Sequence, residues 1–371
     1  MTKITIHDVA REASVSIGTV YRAVNNSGRI SEKTRQRVLD TVSRLGYKPN
    51  TVARGLALRT KFTIAVFLPQ QPDFFWHDII RGVNQAASEL SEYGVRLLTV
   101  YHSDRSDPSR SSLEILKSET VDAIVLAIVS LADGRELLKF ASDHAIPVAV
   151  VNEDTATRDR LFFYGPDNHL AGRMAAELMM KFCLPNSQCC IISTPGTYGE
   201  STLSYRHDGF LDYFSKQNHS MTILEPFTCS IEESPKLVQQ LLAQRPEIDG
   251  FYFDQSSTLI RCAALFANCD HHPVVIGHEF CSDLEPFLLD GSISALLVQD
   301  KVCQGYEPVK LIYQYLMLGE SPAQTQLFSN IHIMIQSNMA YLKTTNRQSG
   351  CLTVTQPSAP VRQSSDQAAQ Q

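Results

Sequence analysis

Apolar positions in the first stretch of the chain recur at helical spacing in short bursts. Val9, Ala10 and Ala13 form one stripe, Val20, Ala23 and Val24 a second at i, i+3, i+4, and Val38, Leu39, Val42 and Leu45 a third. Polar residues at fixed offsets mark the ends. Thr5 stands where an N-cap belongs and Asp8 follows at the capping-box spacing, so a helix of about two turns starts at Ile6. Ser14-Val15-Ser16 breaks the pattern, Ser16 caps a second helix, and Ser31 caps a third that stops at Gly46. The pattern predicts helix, tight turn, helix, and a further helix around one small all-α core. Ile17, Gly18, Tyr21 and Arg22 fall off the buried side of the second helix.

From Phe62 the pattern alternates between strand and helix. Thr63 to Leu68, Val95 to Tyr101, Asp122 to Ile128 and Pro147 to Val151 read as strands; Asp78 to Tyr93, Leu113 to Ser118 and Arg135 to His144 read as helices. A second set begins near Asn168 with a helix to Cys183, strand Cys189 to Thr194 and helix Thr202 to Lys216. It continues with strand Met221 to Pro226, helix Pro235 to Arg245, strand Gly250 to Phe253, helix Leu259 to Ala267 and strand Pro273 to Gly277. Continuous apolar strands between amphipathic helices pack as parallel sheets covered on both faces, so two doubly wound α/β lobes are expected. Ligands of such sheets sit beyond the carboxyl ends of the strands, here an interlobe cleft. After Lys343 the chain is rich in Ser, Thr, Gln and Pro and reads as a disordered tail. The expected organisation is a helical unit over 1–48, a linker over 49–61, a two-lobed body over 62–343 and the tail over 344–371.

The linker is physically distinctive. Val52 and Leu56 share one face of a short helical segment, Thr51 to Leu58, but Gly55 inside it costs ~1 kcal/mol relative to Ala. A helix this short does not persist alone in water, so it forms only when something supports it.

Charge divides the chain at the same place. Residues 1–61 hold twelve Lys and Arg against four Asp and Glu, a net +8, while the whole chain is −6, which leaves −14 on the remainder. A basic helical unit supplies the phosphate attraction that nucleic-acid binding needs, and an acidic body does not compete for it. A helix of this width fits the major groove, with its N-terminal residues at base edges. The start, Met1-Thr2-Lys3-Ile4, has no signal region and no apolar run approaches membrane-spanning length, so a cytoplasmic protein is expected, with no membrane association. Nine cysteines without a C-x-x-C pair suit buried thiols in a reducing compartment. No G-x-x-x-x-G-K-[ST] phosphate loop is present, Gly199-Glu200-Ser201 lacks the second glycine of a nucleophile elbow, and Cys269-Asp270-His271-His272 are too contiguous to converge on one metal. Neither a metal nor a cofactor is expected.

The spaced run TIHDVAREASVS, RIS, TR, RV, LGYKPN between Thr5 and Leu58 resembles, nearly position for position, the headpiece and hinge of the LacI/GalR family of bacterial transcription regulators. Ser14 stands where the family has Gly, tolerable if the turn avoids a positive φ, and Tyr21 stands where it has Ser, which bars transfer of a known operator sequence. The resemblance implies a repressor acting as a homodimer on a palindromic double-stranded DNA operator. It implies that Ile17, Gly18 and Arg22 contact bases, that Thr5, Ser16, Thr19, Asn25, Tyr47 and Asn50 complete the DNA-facing set, and that Ala53 meets its counterpart between paired hinges. Leu56 is then the apolar wedge in the minor groove. Without a C-terminal leucine heptad, a dimer is expected.

More loosely, residues 62 to about 343 look like the periplasmic-binding-protein-like (type I) effector domain of the same family, which takes a small sugar or sugar derivative. In it the chain crosses between lobes three times, so that the first lobe holds roughly 62–162 plus a return near Gln299 to Leu327. Phe75 and Trp76 match an aromatic position that flanks the ligand, and Arg206, in Ser201-Thr202-x-x-x-Arg206-x-x-Gly209-Phe210, offers a planar fork of donors to hydroxyls, carboxylate or phosphate. Asp167 and Asn168 leave two readings open, hydroxyl acceptor or helix cap. Gln255, Glu279 and Gln299 occupy altered or weaker matches to ligand-contacting positions, with Glu279 as the carboxylate for sugar hydroxyls. A regulator answering a protein corepressor, and a sugar-processing enzyme joined to a DNA-binding domain, are the competing readings.

Overall fold

The computed structural model describes residues 4–24, 30–45, 61–102, 108–128, 131–154, 159–194, 200–217, 220–269 and 271–348. Helices α1 (Ile6–Glu12), α2 (Ile17–Val24) and α3 (Glu32–Leu45) form the first unit. The capping box at Thr5 is made: its N–H donates to Asp8 Oδ2 at 3.0 Å, and Asp8 N–H donates to Thr5 Oγ1 at 3.4 Å. Ser16 and Ser31 accept in the same way from the amides of Thr19 and Thr34, at 3.2 and 3.3 Å. Val9, Ala10, Ala13, Val20, Ala23 and Val38 close the core. Leu39 departs from expectation and is exposed, because it lies about 100° around the helix from Val38; Thr41 occupies the inward position instead.

The turn after α1 corrects a second expectation. Ser14 has φ 51°, in the left-handed region. The cause is a Schellman closure in which Val15 N–H donates to Ala10 O at 3.0 Å and Ser14 N–H to Arg11 O at 3.2 Å, a geometry that requires a left-handed residue after the helix. Asn25, Tyr47, Asn50, Ala53 and Leu56, with the expected hinge helix, lie outside the described residues.

The body begins with β1 (Phe62–Pro69), α4 (Asp73–Ser91), β2 (Val95–His102), α5 (Pro108–Ser118), β3 (Ala123–Ala127), α6 (Leu131–Asp143), β4 (Val148–Val151) and β5 (Phe162–Gly165). It continues with α7 (Asn168–Phe182), β6 (Gln188–Ser193), α8 (Glu200–Ser215), β7 (Thr222–Ile223), β8 (Phe227–Thr228), α9 (Ser234–Gln244), β9 (Ile248–Phe253), α10 (Ser256–Ala267) and β10 (Val274–His278). The last elements are α11 (Glu285–Leu289), β11 (Ala295–Gln299), α12 (Lys301–Leu318), β12 (Gln326–Phe328), β13 (Ile331–Met334) and α13 (Met339–Gln348).

One sheet runs β12-β5-β4-β3-β1-β2, all parallel; the other runs β13-β11-β10-β9-β6-β7, with β8 on β6 and β13 antiparallel to β11. Each has hydrophobic clusters on both faces, as fully covered sheets must. The chain passes between sheets after β5, after β11 and after β12. Tyr164 and Gly165 belong to β5 of the first sheet, where Tyr164 pairs with Val151 and Leu327. Residues 344–348, read as tail, continue α13, whose Met339 is buried and whose Leu342 packs on the second core, so the helix persists beyond its anchored turn. Residues beyond 348 lie outside the described residues.

Two helix pairs approach closely enough to exclude side chains. A Cβ on Gly172 of α7 would lie 1.9 Å from Arg206 O, and one on Gly209 of α8 2.0 Å from His169 O. The first lobe repeats the device: a Cβ on Gly82 of α4 would lie 2.0 Å from Val302 O, and one on Gly305 of α12 1.9 Å from Ile79 O.

Two variants test these contacts. Ser14→Gly relieves the left-handed strain and is expected to stabilise the helical unit by about 0.5–1 kcal/mol, read as slower amide exchange across α1 and α2. Gly172→Ala forces α7 from α8 and is expected to cost roughly 3 kcal/mol or more in urea unfolding.

Candidate functional site

The cleft between the two sheets is lined by Pro72, Phe74 and Phe75 from the start of α4, Asn152 and Glu153 after β4, and Pro166 and Asn168 at the first crossing. From the second sheet come Arg206 of α8, Gln255 and Ser256 at the start of α10, Glu279 after β10, and Gln299 ending β11. It encloses about 560 Å³ including its opening to solvent, a size that suits a small organic ligand. Six of the sequence-predicted positions therefore meet in one cavity: Phe75, Asn168, Arg206, Gln255, Glu279 and Gln299.

Trp76 and Asp167 do not join them. Trp76 is 3% exposed in the core of the first lobe, with Ile79 and Val83 on the same inward stripe of α4, and its ring meets Phe75 edge-on at 5.2 Å. Successive helical residues are about 100° apart, so when Phe75 faces the cleft Trp76 faces the core. Asp167 is the N-cap of α7 and accepts from Leu170 N–H at 2.9 Å, so the cap of its two readings is made. Sequence reasoning missed Asn152 and Glu153, although they directly follow a parallel strand, where the strand-end rule points. It also missed Lys301, which starts a helix and carries no such signal.

Arg206 is 7% exposed and held rigidly: Nε donates to Asn168 Oδ1 at 2.9 Å and Nη1 to the Asp254 carbonyl at 2.8 Å. Gln299 Oε1 accepts from Gln304 Nε2 at 2.9 Å. Gln255 is 3% exposed, yet neither end of its amide has a hydrogen-bond partner, and both Glu279 carboxylate oxygens are likewise buried without one. Such groups cost free energy unless something satisfies them, so the cleft is arranged to receive donors and acceptors from a ligand. Backbone strain gathers here too: Glu279 has φ 61° and Asn152 has φ 68°, each just beyond a strand that ends at the cleft. Burial raises the Glu279 pKa, opposed by the nearby Lys301 and Arg206 cations and by the side chain and backbone of Gln299, which approach the carboxylate without hydrogen-bond geometry. Below the cleft, His278 Nε2 and Tyr252 Oη lie 2.7 Å apart, and burial, with Arg206 nearby, holds the imidazole well below its ordinary pKa.

In the first unit, α2 presents its N-terminal face outward. Ile17 is 42% exposed, Gly18 and Arg22 are exposed, and Thr19 is partly so; Ser16 and Thr5 are exposed caps. These side chains leave the N-terminal face of α2 open to solvent on the outside of the helical unit. Among the described residues no group of three or more His, Cys, Asp or Glu is placed to hold a metal ion, and no helix is long and apolar enough to cross a membrane. His271 instead lies 3.3 Å from Asp249. Seven described cysteines are free thiols; Cys303, which is disulfide-bonded, departs from the all-thiol expectation.

Asp254, beside this site, gives a pH signature. Burial pushes its pKa up from 3.8 to about 7, opposed by the bond from Ser193 Oγ at 2.6 Å and by Arg206. A carboxyl with a raised folded-state pKa favours the fold fully below its unfolded value of 3.8 and loses that contribution as pH rises to about 7. Asp254→Asn is therefore expected to stabilise the protein at pH 8 by up to roughly 4 kcal/mol, with the gain fading toward pH 4, measured by urea unfolding at both values.

Comparisons agree with this architecture. The model of bacterial regulatory proteins of the lacI family matches residues 5–50, and that of the periplasmic binding protein domain matches residues 64–321. The ribose operon repressor of Halalkalibacterium halodurans is 26% identical over 77% of this chain and 80% of its own. The HTH-type transcriptional regulator DegA of Bacillus subtilis is 28% identical over 83% of this chain and 88% of its own. In fold, a periplasmic ribose ABC transporter structure from Conexibacter woesei superposes with a TM-score of 0.67 at 15% identity, over 76% of this chain and 95% of that one. With a helix-turn-helix unit joined to a two-lobed cleft domain, the chain belongs to the LacI family of bacterial regulatory proteins, DNA-binding regulators of transcription and not enzymes.

Proposed function

We propose that this regulator is a cytoplasmic homodimeric repressor that reads a palindromic operator and is controlled by an uncharged sugar or polyol in the interlobe cleft. The observation that carries the ligand class is the pair of buried polar groups without a hydrogen bond, the Glu279 carboxylate and the Gln255 amide, beside the Phe75 ring. Vicinal hydroxyls donate to both carboxylate oxygens, the amide both accepts and donates, and the aromatic face covers an apolar sugar face. The charges favour a neutral ligand. Arg206 is committed to Asn168 and the Asp254 carbonyl, Lys301 compensates the Glu279 carboxylate at 3.6 Å, and Glu153 adds a further carboxylate, so no lining cation is left for a phosphate. A relative named as a ribose operon repressor supports a pentose as the first compound to try.

On the DNA side, Ile17, Gly18 and Arg22 read bases in the major groove, with Thr5, Ser16, Thr19, Asn25, Tyr47 and Asn50 completing the interface. Ala53 meets its counterpart in the partner's hinge and Leu56 enters the minor groove. Occupancy of the cleft changes the spacing of the first lobes across the dimer, and with it the ability of two hinge segments to order together.

The test is a titration of the purified protein with pentoses, hexoses, polyols and sugar phosphates, following Trp76 fluorescence and confirmed by calorimetry. Trp76 stays informative although it is not in the cleft, because its ring rests on Phe75. A neutral sugar is expected to give a saturable response that Arg206→Ala weakens by at least about tenfold, because the substitution removes the bonds that hold Asn168 and the Asp254 carbonyl in the cleft wall. A response to sugar phosphates alone overturns the neutral-ligand reading; silence from every compound in both methods favours control by a protein partner.

A further inference from the structure

Lys301 is the first residue of α12, where the second crossing enters the first lobe, and its side chain is 4% exposed. A cation at a helix N-terminus faces the positive end of the helix dipole, so its position needs compensation. The surroundings supply it. Nζ donates to the Phe74 carbonyl at 3.2 Å, lies 5.6 Å from the Phe75 ring centre, and has Asp78 Oδ2 at 4.0 Å and Glu279 Oε2 at 3.6 Å. Phe74, Phe75 and Asp78 belong to α4 of the first lobe; Glu279 follows β10 of the second. Among these contacts, the one to Glu279 spans the cleft.

We propose that Lys301 is a positioning residue of the effector site, an internal cation that ties the lobes together by holding the Glu279 carboxylate against the Phe75 side of the cleft. This rests on reading the cleft as the ligand site. At 3.6 Å the pair is an electrostatic contact without a hydrogen bond, which leaves the carboxylate able to accept from a ligand while its charge stays compensated. The tie also explains how an acidic group can remain in the cleft wall, since Lys301 and Arg206 are the cations facing it and Arg206 is bonded elsewhere. A ligand gripping Glu279 therefore engages α4 and α12 of the opposite lobe through one ammonium group.

The experiment compares full-length wild type, Lys301→Met, Glu279→Gln and the double variant by hydrogen exchange and mass spectrometry without ligand. Loss of the tie is expected to raise exchange about threefold or more in peptides covering residues 70–80 and 275–285, while strands β3 and β9 exchange as in wild type. Glu279→Gln is expected to do the same, and the double variant to add nothing further, because both changes remove one interaction. A D-ribose titration forms the second arm, with Lys301→Met expected to bind about tenfold more weakly than wild type. Unchanged cleft exchange in Lys301→Met, a uniform rise across both sheets, or additive effects of the two single changes each overturn the tie. Wild type that ignores D-ribose and related sugars, together with the local non-additive exchange pattern, sinks the sugar reading and supports the tie.

Discussion

Backbone contact between paired helices is the constraint on which the cleft depends. Gly172 and Gly209 let α7 and α8 meet with each glycine against the other helix's carbonyl, and Gly82 and Gly305 do the same for α4 and α12. Side chains between these helices would move them apart by ångströms, and interiors packed at crystal density do not absorb such a shift. Each pair also carries residues that line or adjoin the cleft: Asn168 and Arg206 on α7 and α8, Phe75 and Lys301 on α4 and α12. The 2.9 Å bond between Arg206 and Asn168 is thus a consequence of the glycine contact, and so is the seat of Lys301 against Phe74 and Asp78. Both lobes solve one problem by the same means, which is to fix a long polar side chain by fixing the backbone beneath it.

Against that rigid frame the unsatisfied groups gain meaning. Nearly every buried polar atom in a folded protein is paired, and here the exceptions include both ends of Gln255, both oxygens of Glu279 and Asp254 Oδ1, all at or beside one cavity. Glu279 also adopts a left-handed backbone conformation that glutamate rarely takes, held by a bond from its N–H to Leu297 O at 2.9 Å. Folding alone favours none of these features. Together they describe a wall shaped for a ligand's hydrogen bonds at some expense to the empty protein.

Much of this was legible in the residue pattern, and the losses have physical causes. Strands such as β1, β3 and β9 announced themselves because a strand buried on both faces must be continuously apolar. The caps at Thr5, Ser16 and Ser31 were readable because a cap is a local bond between residues three apart. The edge strands β12 and β13 and the helix α12, with Pro308 inside it, gave weaker signals, since their places are set by partners distant in sequence. Trp76 shows the limit at a single residue: the motif located the turn of helix, but which of two adjacent aromatics faces the cleft depends on helix phase. Ser14 shows the converse, a conformation imposed by Schellman hydrogen bonds on a residue that does not favour it.

The crossings give the cleft its leverage. Lys301 follows one of them by two residues, and α12 is locked onto α4 through Gly82 and Gly305, so displacing the Lys301 ammonium relative to Glu279 displaces the helix pair relative to the second sheet. That helix pair packs on the face of β1, the strand that the chain enters directly from the linker. A ligand that stabilises one spacing of Glu279 and Lys301 more than another therefore biases the attitude of the first lobe at the point where the DNA-binding unit is attached. By linkage, an operator that prefers one attitude must alter ligand affinity by the same factor, and the size of that coupling is bounded by the ligand's differential contact with the two arrangements.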